Sequence, residues 1–185
     1  IGIKYLTLFT FSEENWNRPK TEILGLMSLL VQSLNAELES LMKNNIRFNA
    51  IGDLNKLDIF TRKKIKDVEK LTCSNTGLHL NLAISYGGRQ EIIDACNQII
   101  KNKLDSITMS DFNNFLYTKL IPDPDLLIRT AGESRISNFL LWQIAYTEIY
   151  ISKAYWPKFN EQELDKAIED YHSRERKFGR ITPNA

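Results

Sequence analysis

Three short strings in this 185-residue chain hold side chains that could do chemistry on an anion. The first is Ser12-Glu13-Glu14-Asn15-Trp16-Asn17-Arg18-Pro19, where a hydroxyl, amides and a guanidinium surround one large aromatic. Arg18 could grip a phosphate through two parallel N–H bonds while Ser12 donates another. The same string also reads as a polar loop whose Trp16 caps the core. The second is Arg129-Thr130-Ala131-Gly132-Glu133-Ser134-Arg135-Ile136-Ser137-Asn138. Two arginines six apart, with hydroxyls and a glycine between them, would surround a diphosphate. One charge-assisted hydrogen bond contributes about 1.5–3 kcal/mol, so three or four hold a diphosphate without help from bulk charge. The competing reading is a surface loop in which Arg129 pairs with Glu133. The anion site is favoured, because an arginine ending a buried strand needs a partner.

The third string, Tyr86-Gly87-Gly88-Arg89, is weaker. Paired glycines let a backbone approach a phosphate, but they serve equally to turn a strand into a helix, and the structural role is favoured. His79 alternates with the leucines of a strand and His172 lies on a charged helix; neither has a second histidine nearby in sequence. Both read as structural or solvated. Glu148 stands at the start of a strand after the apolar run 139–146. Taken alone, it is an ordinary charged residue rather than a metal ligand.

The elements that must position these strings follow from periodicity. Residues 4–11 (KYLTLFTF) read as a buried strand and residues 12–20 as a loop, with Pro19 delaying the helix. From Thr21 to about Asn44 apolar residues recur every three or four positions, at Ile23, Met27, Leu30, Leu34, Leu38 and Leu41. Leu24, Val31 and Met42 form a second stripe. Residues 47–51 predict a strand, 56–71 a charged exposed helix, and 78–84 a strand with alternating leucines. Helices are predicted over 89–101 and 110–120, the latter capped by Ser110. A buried strand is predicted at 125–130, a last strand at 148–152, and an amphipathic helix over 161–178. This alternation implies an α/β fold around a largely parallel sheet flanked by helices. Ligands gather at the carboxyl ends of such strands, and all three strings lie there.

Composition limits the alternatives. Twenty-four basic and 23 acidic residues leave a formal charge of +1, which argues against a duplex nucleic acid as partner. Cys73 and Cys96 have no metal-ligand spacing and make no disulfide framework, which fits a reducing cytoplasm. No apolar run approaches the roughly 20 residues of a membrane span. The expectation is a cytoplasmic protein that at most touches the inner face of a membrane. The two-striped helix has two readings. It is buried on most sides, or one stripe lines a slot for a hydrocarbon chain, which its length of about 34 Å would flank.

The strings FSEENWNRP (11–19), GDLNKL (52–57), NTGLHLNLAISYGGRQEI (75–92), PDLLIRTAGESRISNFLLWQIAYTEIY (124–150) and RERKFG (174–179) resemble the cis-prenyltransferase family over nearly the whole chain. The resemblance implies one catalytic domain over residues 1–185 with a hydrophobic tunnel. It also implies a homodimer that adds isopentenyl diphosphate to farnesyl diphosphate with cis geometry, with Mg2+ as cofactor. The product would be the polyprenyl diphosphate carrier of bacterial cell-wall synthesis. Position by position, Ser12, Glu13, Glu14, Trp16 and Arg18 match the substrate-contacting loop, and Asn15 matches the residue associated with removing the proton. Arg129, Arg135, Ile136 and Ser137 match the isopentenyl diphosphate pocket, and Glu148 matches a magnesium ligand. Arg18 and Arg135 are then expected to meet around a pair of diphosphates.

The sequence departs from the family in three places. The family's first motif, Asp-Gly-Asn-Gly-Arg-Trp, with its strand and helix, is absent because the chain begins after it. The chain as written is therefore expected to be inactive. Lys177-Phe178-Gly179 keeps the charge of an arginine-any-glycine element but not the fork, and Ser134 stands where some relatives place histidine. Two other classes were weighed. A non-catalytic accessory subunit would be expected to lose the catalytic loop, yet Asn15, Arg18, Arg129, Arg135 and Glu148 all stand. A nucleotide-binding module would need a phosphate-loop lysine or a GxGxxG turn, and neither occurs.

Overall fold

The computed structural model describes residues 2–175. By internal contacts the chain divides into two compact units, Ile1–Ile121 and Pro122–Ala185. In both, every strand pairing among the described residues is parallel and helices connect or follow the strands, the α/β arrangement that the alternation implied.

The first unit is built on three strands in the order β1-β3-β2: β1 (Tyr5–Ser12), β2 (Arg47–Ile51) and β3 (His79–Tyr86). Period-two spacing sends Leu80, Leu82 and Ile84 of β3 to one face, where they meet Phe11 and Phe48 from the flanking strands. Over that face lie α1 (Lys20–Lys43), through Met27, Leu34 and Leu41, and α2 (Ile59–Thr72), through Ile65 and Val68. Burying each such side chain stabilises by about 1.5–3 kcal/mol. Between the leucines, Asn81 bonds both neighbours, accepting from Asn49 at 3.3 Å and donating to Thr7 at 3.4 Å. The three are register partners, so this polar ladder pins the alignment of all three strands. β3 leads into α3 (Gly88–Lys101) and then α4 (Met109–Asn113). The second unit holds β4 (Leu126–Arg129) paired with β5 (Glu148–Ile151), and α5 (Glu161–Ser173).

Several expectations are corrected. β1 is not the buried strand expected: among the described residues it pairs with β3 alone, Tyr5 and Leu6 are exposed and only Phe11 is buried. Composition identified a strand but could not count its neighbours. β4 is half-buried for the same reason, with β5 its one partner among the described residues. The stretch 110–120 forms a helix of only five residues, capped by Thr108 rather than Ser110. Thr108 and Asp111 close a reciprocal capping box, which outcompetes a lone serine two residues on. α2 starts at Ile59, because the Asp58 carboxylate accepts from the Phe60 and Thr61 N–H groups. α5 ends at Ser173; of the six residues of the RERKFG string, 176–179 lie outside the described residues, Lys177, Phe178 and Gly179 among them. On α1 the main stripe is the core face, whereas Leu24 and Met42 of the second stripe are exposed and Val31 is half-buried.

Candidate active site

In the first unit the candidate loop leaves the carboxyl end of β1 as a 3-10 turn, Glu13–Asn17. Ser12 is the register partner of Tyr86, so this turn and the Tyr86-Gly87-Gly88-Arg89 corner are brought side by side at the strand ends. The Ser12 N–H donates to Asn15 Oδ1 at 2.9 Å, closing the turn on itself. Trp16 does what the blander reading asked of it: its ring packs edge-on against Phe11 at 5.1 Å, on the core. Its Nε1 also donates to Ser85 Oγ at 2.9 Å, which anchors the loop to the central strand. Glu13 pairs with Lys56, and its buried Oε2 has no hydrogen-bond partner among the described residues. Arg18 lies exposed at the turn's end and donates to Glu22 at 2.7 Å.

Ser85 is a residue the sequence reading missed. It is buried and holds a left-handed backbone at φ 51°. Its carbonyl accepts from the Asp53 N–H at 3.1 Å, docking the GDLNKL segment against β3. Gly52 makes that docking possible: a Cβ there would lie 2.1 Å from Ile84 O, with the backbone at φ 123°. Behind this corner Tyr86 donates to Glu91 at 2.5 Å in a fully buried contact, and Tyr117 bonds Asp94. Burial, and then that bond to Asp94, pushes the Tyr117 phenol well above its usual value. It therefore stays a neutral donor.

In the second unit Arg129 closes β4. Its pairing with Glu133, the competing reading, does not form; Glu133 pairs with Arg135 instead. The Arg129 Nε is buried with no hydrogen-bond partner among the described residues. After it the backbone takes left-handed conformations at Ala131, Gly132, Ser137, Asn138 and Leu140. Four of these five are not glycine, and such residues are sparse outside functional loops. The loop is held at its root by Ala131 N–H to Ala154 O and Gly132 N–H to Ser152 O, both 2.8 Å. Ile136 is half-buried, while Ser134, Arg135 and Ser137 are exposed.

Glu148 sits elsewhere in this unit. It is the register partner of Leu126, at the amino end of the strand pair, whereas Arg129 is at the carboxyl end. Three residues of strand separate the two levels, about 10 Å. The Glu148 carboxylate accepts from Arg174 at 2.7 Å, and Arg174 also reaches Ile149 O and Asp170. The bond it donates to Glu148 is the chief reason the Arg174 guanidinium titrates above its usual value. No group of three or more His, Cys, Asp or Glu side chains suited to a metal ion occurs among the described residues. His79 stacks obliquely on Tyr5 at 4.7 Å and His172 meets Tyr171 edge-on. Lys56 and Arg174 were also missed as pairing residues. Both lie in the quoted strings, but their partners are 43 and 26 residues away.

Residues 1–179 match the family described as "Putative undecaprenyl diphosphate synthase". The chain belongs to this family, the cis-prenyltransferases. An isoprenyl transferase of Fusobacterium nucleatum is 51% identical over 98% of this chain and 78% of its own length. A ditrans,polycis-undecaprenyl-diphosphate synthase of Haemophilus influenzae, (2E,6E)-farnesyl-diphosphate specific by name, is 50% identical over 97% of this chain and 77% of its own. Among solved structures, lavandulyl diphosphate synthase from Lavandula x intermedia in complex with dimethylallyl diphosphate matches with a TM-score of 0.91 at 37% identity. That match covers 96% of this chain and 80% of the plant chain. A probable undecaprenyl diphosphate synthase from Campylobacter jejuni matches with a TM-score of 0.87 at 44% identity, covering 96% and 84%. The family strings read from the sequence are therefore those of a prenyltransferase. No helix among the described residues is long and apolar enough to cross a membrane.

Proposed function

We propose that this protein condenses isopentenyl diphosphate units onto farnesyl diphosphate with cis geometry, giving undecaprenyl diphosphate as a carrier for cell-wall synthesis. The observation that carries the reading is the Arg129 Nε at the end of β4, buried and without a hydrogen-bond partner among the described residues. A buried guanidinium N–H calls for an acceptor, and the diphosphate of a prenyl substrate can supply one. In the reaction the C1–O bond of the allylic substrate breaks, and the departing diphosphate keeps the electron pair. The double bond of isopentenyl diphosphate supplies the electrons of the new C–C bond. A proton then leaves the neighbouring carbon, and its bonding pair forms the new cis double bond.

Arg129, Arg135 and Ser137 bind the diphosphate of isopentenyl diphosphate, with Ile136 against its hydrocarbon part. Ser12, Glu13, Glu14, Trp16 and Arg18 contact substrate from the first loop. Arg135 and Arg18 exchange their present carboxylate partners, Glu133 and Glu22, for phosphate oxygens. Both pairs are exposed, so each exchange costs little. Asn15 is an amide and a poor base, and its Oδ1 already accepts from Ser12. It orients the proton's path to a diphosphate oxygen.

Mg2+ is the proposed cofactor, and when bound it supplies charge neutralisation for the departing diphosphate. Glu148 fits it as one ligand, not as a complete site, and Arg174 would have to yield its place on that carboxylate. The same reading takes the protein as a cytoplasmic homodimer of single-domain chains, with a hydrophobic tunnel beside α1 and peripheral contact at the inner face of the membrane. Radiolabelled isopentenyl diphosphate with farnesyl diphosphate and magnesium tests the activity, on the natural full-length protein. Long-chain labelled product is expected, and Arg135→Ala should raise KM for isopentenyl diphosphate. An unchanged KM would remove Arg135 from the pocket.

A further inference from the structure

The outer face of α2 takes no part in either candidate site, and its composition is unusual for this chain. Its fourteen residues carry five basic and two acidic side chains, a net charge of +3 on one helix in a protein whose total is +1. The inner face, Thr61, Ile65, Val68 and Thr72, is buried. The outer stripe runs through Phe60, Lys63, Lys64, Asp67 and Leu71, spaced by three and four residues, and Ile59, Lys66 and Lys70 flank it. Phe60 is 80% exposed, Ile59 66% and Leu71 51%. Exposed phenylalanine at that level is costly in water and pointless as core.

The charges on this face are not spoken for. Lys63, Lys64 and Lys70 enter none of the ion pairs among the described residues. Glu69 turns inward and accepts from the Ala50 N–H at 2.9 Å. Asp67 is thus the single acid on the outer stripe.

From this arrangement we infer that the outer face of α2 is a docking surface for an anionic lipid bilayer, with Phe60 and Ile59 inserting among the headgroups and the lysines lying against the phosphates. A helix with bulky apolar side chains among lysines matches both components of such an interface. A duplex nucleic acid would use the lysines and leave Phe60 in water. An apolar protein groove would use Phe60 and desolvate the lysines. The inference rests on the proposed function for why a bilayer should be near, since a polyprenyl product has to enter one.

Binding is read without substrate, by co-sedimentation of the protein with vesicles of phosphatidylglycerol mixed into phosphatidylcholine, and with pure phosphatidylcholine vesicles. Each basic residue near an anionic leaflet is worth about fivefold in partitioning, so Lys63→Gln with Lys64→Gln should weaken binding about 30-fold. Phe60→Ser should weaken it comparably while leaving its salt dependence unchanged. Equal binding of parent and variants, equal binding to both vesicle types, or no sedimentation of the parent would overturn the inference. So would tighter binding to duplex DNA that is indifferent to Phe60→Ser. Circular dichroism of the variants checks that the helix persists. Turnover of the natural full-length protein in detergent, measured separately, distinguishes the two readings: vesicle binding without turnover refutes the proposed reaction alone, and turnover without vesicle binding refutes this surface alone.

Discussion

Replacing Gly52 by alanine tests whether the corner that carries the first loop is as tightly built as its geometry indicates. The new Cβ would lie 2.1 Å from Ile84 O, 3.0 Å from Ser85 O and 3.1 Å from the Ile84 carbonyl carbon. These atoms are not free to step aside, because both residues are buried in the central strand, Ile84 as the register partner of Phe11 and Ser85 held by its bonds from Trp16 and Asp53. Relief must come from segment 52–57, which would lose the Asp53 N–H bond to Ser85 O and loosen Leu57, 3% exposed. The φ of 123° adds its own strain for a side-chain-bearing residue. Backbone strain costs about 1–3 kcal/mol, overpacking about 1–3 kcal/mol and the lost hydrogen bond about 1 kcal/mol. Together these come to about 3–7 kcal/mol, which rivals the whole stability of a small domain. Urea unfolding followed by fluorescence measures it. Trp142 and Trp156 both lie in the second unit, so their replacement by phenylalanine leaves Trp16 as the reporter of the first unit. With a slope of about 2 kcal/mol per molar urea, the midpoint should fall by about 1.5–3.5 M. A loss under about 1 kcal/mol would refute the reasoning, since overlap with a fixed carbonyl cannot be that cheap.

Other perturbations read the rest of the molecule. Ser85→Gly keeps the left-handed backbone but removes the acceptor of the Trp16 N–H, so stability should fall by about 1–3 kcal/mol and the indole N–H resonance should shift; an unmoved resonance would show that the bond does not hold the loop. Asp58→Ala should cost about 1–2 kcal/mol by uncapping α2, measured by urea unfolding. Bonds from the Thr61 side chain and backbone hold the Asp58 carboxyl below its usual value, so the folded state binds that proton less readily than the unfolded chain. Its stabilisation is present above about pH 4 and is lost as pH falls through the folded value, so Asp58→Asn should flatten that acid limb in pH-dependent unfolding. Glu69 runs the other way. Burial raises its carboxyl, so the ionised form weakens the fold as pH rises, and Glu69→Gln should stabilise at neutral pH relative to pH 4. At the proposed metal ligand, Arg174→Gln should lower the magnesium requirement and Glu148→Ala should raise it. Magnesium titrations moving in the same direction for both would contradict competition at that carboxylate.

Much of the frame was legible because it rests on local chemistry. Period-two leucines placed β3, three-four spacing placed the buried stripe of α1, and residues 47–51 formed the predicted strand at both ends. The chemistry-bearing strings were visible as well, since Ser12, Asn15 and Arg18 stand within one short string and Arg129 and Arg135 within another. The cap of α4 was misread although its signal was present. Thr108 followed three residues later by Asp111 is a two-sided pattern, and reading Ser110 alone overlooked it.

What this sequence determines by itself is therefore periodicity, capping and the family strings, all of which act between residues a few positions apart. Tertiary structure alone decided that β3 lies between β1 and β2, that Trp16 hangs from Ser85 69 residues later, that Glu133 takes Arg135 rather than Arg129, and that Arg174 closes on Glu148. The reason is physical. A hydrogen bond or ion pair is chosen by which groups folding leaves within about 3 Å of each other, and a sequence pattern records the groups but not that distance.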